Sequence, residues 1–422
     1  MFGKKIYYGW YIVAASLLII ILDGLLLYSF GVFLPYINEE FGLSRAEGSS
    51  LFSFRSLILA PGFIIAGRLI DKYDPRIVIF GGGLIAALGM ILSGFAQNTW
   101  QLILTYSVMV GLGDTVLYIT CVAVVSRWFT VKRAFAIGII TTGVPLSGLL
   151  TNPLAASLIN NFGFRNALIA LGCMMAITLL GAFVMRAYPE NLGLKPYGED
   201  DSQDKTTANT AASNNGSKDW TTMEAISTPN YWIMYLMYVL AFITFLIIVT
   251  QFYNFEIDLK ISALAAAGPP AAIGLGSIIG RTVLTALLAE VLEYRKVLLV
   301  CLLAQGSSII LLLVFDDAAD IWAFYLFGLL FGFFYSACVP IFPTLLARFY
   351  GLRSLGTIYG IFGTSYSIAA IGAPVLAGYV FDITGSYFYP FLFAIICCYL
   401  AALGAFFIKA PTKKPTQIES SG

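Results

Sequence analysis

Long apolar stretches alternate with short polar segments along almost the whole chain. Each stretch has about 20 residues or more, the length that an α-helix needs to cross a hydrocarbon core of roughly 30 Å. The pattern predicts twelve transmembrane helices, at about 8–36, 47–70, 76–96, 99–126, 133–159, 165–187, 230–255, 262–289, 296–315, 320–347, 354–381 and 386–409. The first stretch continues without a small-residue cleavage site, so we expect it to be a retained helix rather than a signal peptide.

One polar segment, 188–229, is much longer than the others and contains the run GEDDSQDKTTANTAASNNGSKD. It has too few apolar residues to fold by itself, which predicts a flexible cytoplasmic linker. The linker divides the chain into an N-terminal six-helix bundle (1–187) and a C-terminal six-helix bundle (230–410). A short cytoplasmic tail, 411–422, is expected to follow.

The two predicted bundles resemble each other in sequence. Arg127-Trp128-Phe129 recurs as Arg348-Phe349-Tyr350 at an offset of 221 residues, and the same offset superposes PLAA, from Pro153, on PVLA, from Pro374. The predicted fold is therefore an all-α membrane protein of two pseudo-symmetric six-helix bundles. In transporters built this way, the substrate site lies between the repeats, near the bilayer midplane.

Composition supports a membrane protein and narrows its chemistry. The chain is 59% hydrophobic and 11% charged, whereas soluble domains have about 25% charged residues. Its net charge of +1 gives no basic patch for nucleic acid. All six cysteines fall in apolar runs, which argues against a disulfide framework or a metal site, and no cofactor is expected. Because the chain has no histidine, a transported proton must be carried by a carboxyl group or a tyrosine.

Lysine and arginine residues predict the orientation. If both termini are cytoplasmic, only Arg45, Arg165 and Lys260 fall in loops on the other side. Cytoplasmic loops carry the excess of basic residues in membrane proteins. We therefore expect a multi-pass protein of the cell (inner) membrane with both termini in the cytoplasm.

Short motifs resemble a known family. The stretch GRLIDKYDPR, from Gly67 to Arg76, resembles the loop motif between helices two and three of the major facilitator superfamily. Three other features resemble its monocarboxylate porter group, which includes a bacterial branch and the oxalate/formate exchangers. They are YGW at Tyr8, RWF at Arg127 followed by KRA, and DWTTMEA at Asp219 followed by Thr228-Pro229. The resemblance covers nearly the whole chain and implies a transporter.

Four ionisable residues lie well inside predicted spans: Asp23, Arg55, Asp114 and Arg281. A charge at the centre of a bilayer costs at least about 2.5–3.5 kcal/mol, so each of them needs a partner or a wet cavity. Either functional sites or structural ion pairs satisfy this requirement.

Arg281 is the strongest candidate for binding an anion. It lies nine residues before Glu290, which places it roughly 13–14 Å deep in the membrane. Its neighbours one turn away, Ser277 and Thr285, are not acids, and a guanidinium binds a carboxylate through two hydrogen bonds. The resemblance agrees, because these porters hold the substrate anion with an arginine in helix eight. They often place an acid where this chain has Ser277. The alternative is an ion pair with Asp23 or Asp114.

Asp23 and Asp114 are the candidates for proton coupling. Either acid could instead form a structural pair with Arg55. We favour Asp23, because the resembling porters carry a coupling lysine on helix one and this chain has none there.

Other candidates for the substrate site follow from spacing and the repeat. Tyr118 lies one helical turn after Asp114, and Tyr335 corresponds to Asp114 at the repeat offset. Phe331 and Cys338 share a helix face with Tyr335. Plain packing is the alternative for each of these four residues.

Asp71, in the loop motif, is the candidate for the cytoplasmic gate. In the superfamily this acid locks the two halves together on the inner face. Here its partners are expected to be Arg127 and the N-terminus of helix eleven, whose dipole favours an anion.

These features predict a secondary transporter of small monocarboxylates, such as lactate or pyruvate, coupled to a proton. Oxalate-type exchangers carry a lysine in helix eleven, and the stretch 354–381 has none, which favours one carboxylate. No nucleotide-binding G-x-x-x-x-G-K-[ST] motif occurs, so a gradient must drive transport. The alternative within transport is an exchanger of organic anions without protons. A receptor or a membrane enzyme is disfavoured, and the expected partners are the anion, the proton and the lipid bilayer, with no obligatory protein partner.

Overall fold

A computed structural model describes residues 7–129, 132–198, 220–290, 293–351 and 355–411. Six long helices form the N-terminal half. They are α1 (Tyr8–Phe41), α2 (Arg45–Lys72), α3 (Pro75–Ser93), α4 (Thr99–Trp128), α5 (Arg133–Thr141, continuing as Gly143–Phe162) and α6 (Phe164–Met175, continuing as Ile177–Val184).

Six long helices also form the C-terminal half. They are α7 (Pro229–Asp258), α8 (Ala263–Ala266, continuing as Gly268–Glu290), α9 (Tyr294–Val314), α10 (Ile321–Tyr350), α11 (Leu355–Thr384) and α12 (Phe388–Phe407). Within the described residues, 11 helices are long and apolar enough to cross a membrane. The remaining long helix, α2, has 28 residues and packs among them, which confirms the twelve-helix prediction.

The two halves meet along three pairs of helices: α2 with α11, α5 with α8, and α1 with α7. Glycine permits the close approach of α8 to α5. A methyl group at Gly274 on α8 would collide with the α5 backbone at Pro145 and Leu149. The interface between the halves therefore brings side chains of α8 directly against α5.

The turn between α1 and α2 has a clear local cause. Helix α1 ends at Gly42, whose φ of 62° lies in the left-handed region that favours glycine. Ser44 and Glu47 then form a capping box, in which each side chain accepts a hydrogen bond from the other residue's backbone N–H. This turn fixes the position of Arg45, the first residue of α2.

Helices α4 and α5 of the N-terminal half both contain an irregular segment. Helix α4 contains a π-helical segment, Ile103–Met109, followed by the α-helical segment Val110–Trp128 that carries Asp114. Helix α5 changes geometry at Thr142 and contains Pro145 one turn later. π-helical segments and prolines leave carbonyl groups that need other donors.

The repeat seen in the sequence recurs in the structure. Helices α4 and α10 end at Trp128 and Tyr350. At each end, a backbone N–H from the segment between the halves donates to the last carbonyl: Tyr197 N to Trp128 O at 3.0 Å, and Trp220 N to Tyr350 O at 3.2 Å. The predicted linker includes these contacts at its two ends, and its middle part, 199–219, lies outside the described residues.

Candidate functional site

Arg281 lies where α8 of the C-terminal half packs on α5 of the N-terminal half. Its Nη1 donates a hydrogen bond to the Thr141 carbonyl oxygen at 2.9 Å. In a regular helix that carbonyl accepts from the N–H of residue 145, but residue 145 is proline and has no N–H. The guanidinium therefore occupies a position that the proline leaves open, and it bridges the two halves.

Three tyrosines from other helices lie within electrostatic range of Arg281. Tyr28 on α1, Tyr118 on α4 and Tyr335 on α10 lie close enough for their hydroxyl groups to interact electrostatically with its charge. Tyr335 stacks on Phe245 of α7, with ring centroids 4.1 Å apart and planes inclined by 5°. The structure thus brings together three of the predicted site residues: Arg281, Tyr118 and Tyr335.

The other two predicted substrate-binding residues, like Tyr335, belong to α10 and are buried in the C-terminal half. Phe331 is fully buried and packs between Phe327 and Tyr335. Cys338 is buried near Cys301 and Cys398, the thiols of α9 and α12. Their roles in binding stay predictions, and their surroundings are typical of packing.

A second charged cluster lies within the N-terminal half. Arg55 on α2 is buried and donates from Nη2 to the Asp114 carboxylate at 2.5 Å and from Nη1 to the Leu26 carbonyl oxygen at 2.8 Å. Asp23 on α1 is also buried, and its carboxyl group lies within hydrogen-bond reach of Asp114. Two carboxyl groups therefore lie together beside one guanidinium, which is paired with Asp114. The cluster of the three groups is neutral when it holds one proton.

Two tyrosines lie within electrostatic range of these charged groups. Tyr118 interacts electrostatically with both Arg281 and Asp23. Tyr366, on α11 of the opposite half, interacts with Arg55, Asp114 and Asp23. The candidate site therefore combines the Arg281 guanidinium at the interface of the halves, a carboxyl pair within the N-terminal half, and tyrosine hydroxyl groups near both.

The predicted cytoplasmic gate can be described only in part. The side chain of Asp71 and residue Ser354 lie outside the described part of the structure. Arg127, at the end of α4, lies over the ring of Tyr188, with 4.9 Å between the guanidinium carbon and the ring centroid. A contact between Asp71 and Arg127 stays a prediction.

Sequence reasoning missed several polar residues of the interface. Tyr28 and Tyr366 had no distinguishing signal, because a single tyrosine in a transmembrane helix is usually a packing residue. Glu256 was placed beyond the end of its helix, yet α7 continues to Asp258 and buries that carboxyl group. Among the described residues, none hydrogen-bonds to the Glu256 carboxyl oxygens.

The fold and the site define a multi-pass membrane transporter, and comparison with known proteins gives its family. The Major Facilitator Superfamily profile matches residues 16–292 and 274–422. The chain belongs to the major facilitator superfamily, and within it resembles the monocarboxylate transporter group, as the sequence motifs predicted.

Two relatives match over most of their length. Monocarboxylate transporter 12 of Rattus norvegicus is 24% identical over 433 residues, which cover 97% of this chain and 87% of that protein. The uncharacterized MFS-type transporter YhjX of Escherichia coli (strain K12) is 23% identical over 350 residues, covering 82% of this chain and 81% of that protein.

Solved structures support the fold. A bacterial homolog of the human lysosomal transporter Spinster, in an inward-facing and unoccupied conformation, superposes with a TM-score of 0.73. The match covers 96% of this chain and 98% of that one at 15% identity, so it bears on the fold alone.

Proposed function

We propose that this chain is a secondary active transporter of small monocarboxylates, of the lactate or pyruvate type, that moves a proton with each anion. The observation that carries the proposal is the position of Arg281, which bridges the two halves beside Tyr28 and Tyr118. A cation at the junction of the repeats is suited to an anion that enters from either side.

The substrate carboxylate pairs with the Arg281 guanidinium in this proposal. A guanidinium has five N–H donors, so a bond to Thr141 is compatible with a bidentate pair to a carboxylate. The nearby tyrosine hydroxyl groups supply hydrogen bonds for a neighbouring oxo or hydroxy oxygen of the anion. The name of one relative, monocarboxylate transporter 12 of Rattus norvegicus, supports this substrate class.

The proton binds to the Asp23–Asp114 pair, with Asp23 as its carrier. Asp114 keeps its ion pair with Arg55, while Asp23 has no such cationic partner of its own among the described ion pairs. With one proton the cluster of two carboxyl groups and one guanidinium is neutral. Without it the cluster carries one negative charge.

Charge balance then couples the two solutes. In the empty carrier, the positive charge of Arg281 offsets the negative charge of the Asp23–Asp114–Arg55 cluster. In the fully loaded carrier, the anion neutralises Arg281 and the proton neutralises the cluster. A carrier with only the anion or only the proton has one uncompensated charge, which costs about 2.5–3.5 kcal/mol in the membrane. Partly loaded carriers are therefore rare in the conformational change, and transport becomes symport.

Anion exchange without protons is the second candidate. The observation that favours it is Ser277, which stands where the resembling porters often have an acid and which donates to the Gly332 carbonyl oxygen at 3.1 Å. If the Asp23–Asp114–Arg55 cluster is only structural, no proton site accompanies Arg281.

Uptake into proteoliposomes separates the two. Labelled lactate, pyruvate, formate and oxalate are offered with and without a pH gradient, acid outside. Symport predicts accumulation of monocarboxylates that requires the gradient. Exchange predicts uptake only into vesicles preloaded with an anion, at a rate that the gradient does not change. We also place both termini in the cytoplasm, which protease access to a tag on either end of the chain in right-side-out and inverted vesicles tests.

A further inference from the structure

A cluster of polar contacts joins the two halves where α2 begins. This end of the bundle lies opposite the chain termini and is called the outer end here. The contacts involve Arg45 of the N-terminal half and Asn254, Asp258 and Asp382 of the C-terminal half. We call these four residues the outer clamp.

The backbone of α2 makes the first part of the outer clamp. The two carboxylate oxygens of Asp382, near the end of α11, accept hydrogen bonds from the N–H groups of Arg45 and Ala46 at 2.9 and 2.8 Å. These N–H groups have no partner within their own helix, and the helix N-terminus favours an anion. A Cβ atom at Gly378 would lie 2.6 Å from the Arg45 carbonyl oxygen, so only glycine allows this approach of α11.

The Arg45 side chain makes the second part. Its guanidinium donates to both carboxylate oxygens of Asp258 and to the Asn254 side-chain oxygen, all at 2.8 Å. Tyr387, just before α12, donates to Asp258 at 3.0 Å. Desolvation by burial raises the pKa of Tyr387 well above its ordinary value, so the hydroxyl stays protonated and remains a donor.

We infer that Arg45 is the residue that closes the outer gate, by holding α2 against α7 and α11 until the transporter turns outward. Among the described residues, Arg45 supplies every N-terminal-half donor to Asp258 and Asn254 and one of the two donors to Asp382. Separation of α2 from both α7 and α11 must break these bonds together. The inference rests on alternating access, as the proposed function does, but it does not depend on which solute is carried.

An ion pair at the same end provides the matched control. Arg165 donates to Glu40 at 2.8 Å, and both residues belong to the N-terminal half. The two pairs have the same chemistry and lie at the same end of the bundle. Only the Arg45 pair crosses between the halves.

Accessibility of an engineered cysteine tests the gate without any substrate. The six natural cysteines are replaced, and Ser53 becomes the reporter as Ser53→Cys, because it is buried on α2 with its hydroxyl 3.4 Å from the Ala370 carbonyl oxygen of α11. A membrane-impermeant thiol reagent is applied from the outer side of reconstituted vesicles. Arg45→Gln should raise the labelling rate about tenfold, the factor expected for the loss of a charge-assisted hydrogen bond, while Glu40→Gln should leave it unchanged.

A double variant that exchanges the two charges of the ion pair distinguishes loss of the pair from misfolding. Arg45→Asp combined with Asp258→Arg should bring the labelling rate back toward that of the parent, whereas each single reversal should raise it. The inference is overturned if Arg45→Gln and Asp258→Asn both label at the parent rate, or if Glu40→Gln accelerates labelling equally. If monocarboxylate uptake fails while the Arg45 and Asp258 variants still change the labelling rate as expected, the proposed substrate is refuted and the inference about the outer gate is unaffected.

Discussion

Arg281 of the C-terminal half donates a hydrogen bond to the carbonyl oxygen of Thr141 in the N-terminal half, at 2.9 Å. The bond exists because Pro145 cannot donate to that carbonyl. Pro145 in the N-terminal half thus positions Arg281 of the C-terminal half. The proposed anion site is consequently sensitive to the relative position of the two halves.

Arg281→Lys tests the proposed role in carboxylate binding. Lysine keeps the charge but loses the planar fork, so one charge-assisted hydrogen bond is lost, worth about 1.5–3 kcal/mol. We expect uptake at low substrate concentration to fall about tenfold to a hundredfold while membrane insertion is retained. Initial rates in proteoliposomes over a range of lactate concentrations measure the change. Near-normal affinity in this variant would remove Arg281 from the binding site.

Pro145→Ala tests how Arg281 is positioned. Alanine restores an N–H that competes for the Thr141 carbonyl, so the guanidinium should lose a fixed contact and substrate affinity should fall by up to about tenfold. Pro153→Ala is the control, because Pro153 lies in the same helix eight residues further on. Equal losses in both variants would indicate a general effect of straightening α5.

The helices were predictable from the sequence because an apolar run of sufficient length has few other stable forms in a membrane. The residues at which the helices end were less predictable. Helix α1 continues to Phe41 rather than to about 36, and α7 reaches Asp258 rather than about 255. Polar residues in the final turn resemble loop residues in composition, so Glu256 fell beyond the predicted end of its helix although it is buried.

Partners across helices could not be assigned in the same way. The sequence gives the approximate depth of Arg55, Asp23 and Asp114 but not the direction in which each helix turns its side chains. Both acids were therefore equally suitable partners for Arg55, and the structure places Asp114 in the ion pair. The bond from Arg281 to Thr141 could not be predicted either, because it depends on Pro145, which lies on another helix.

Asp23→Asn tests proton coupling. The amide cannot carry the proton, whereas the Arg55–Asp114 ion pair remains, so we expect accumulation driven by a pH gradient to vanish while counterflow of labelled anion persists. Asp114→Asn is the comparison, because it leaves Arg55 buried without its charge partner, a change that costs about 3–5 kcal/mol. That variant should lose thermal stability as well as transport. Gradient-driven accumulation that survives Asp23→Asn would assign the proton to another group.

Asp71→Asn tests the cytoplasmic gate, and its expected effect is opposite to that of opening the outer clamp. If Asp71 accepts charge-assisted hydrogen bonds from Arg127 or from the first amides of α11, the amide weakens bonds worth about 1.5–3 kcal/mol each. Facing states that differ by only a few kcal/mol should then shift toward the inward-open state. Labelling of Ser53→Cys from the outer side should fall. Labelling of Ser126→Cys, half-buried near the inner end of α4, should rise.

Asp74→Asn provides the control for this variant. It removes the same charge three residues further along the same motif, and asparagine caps a helix as well as aspartate does, so the N-cap of α3 is kept. A similar shift in both variants would mean that loop charge, rather than a bond made by Asp71, sets the balance of facing states. If transport is lost in Asp71→Asn while both cysteines label at the parent rate, Asp71 acts in a step other than gating. A rise at the inner reporter and a fall at the outer one, absent from Asp74→Asn, would identify Asp71 as the inner counterpart of Arg45.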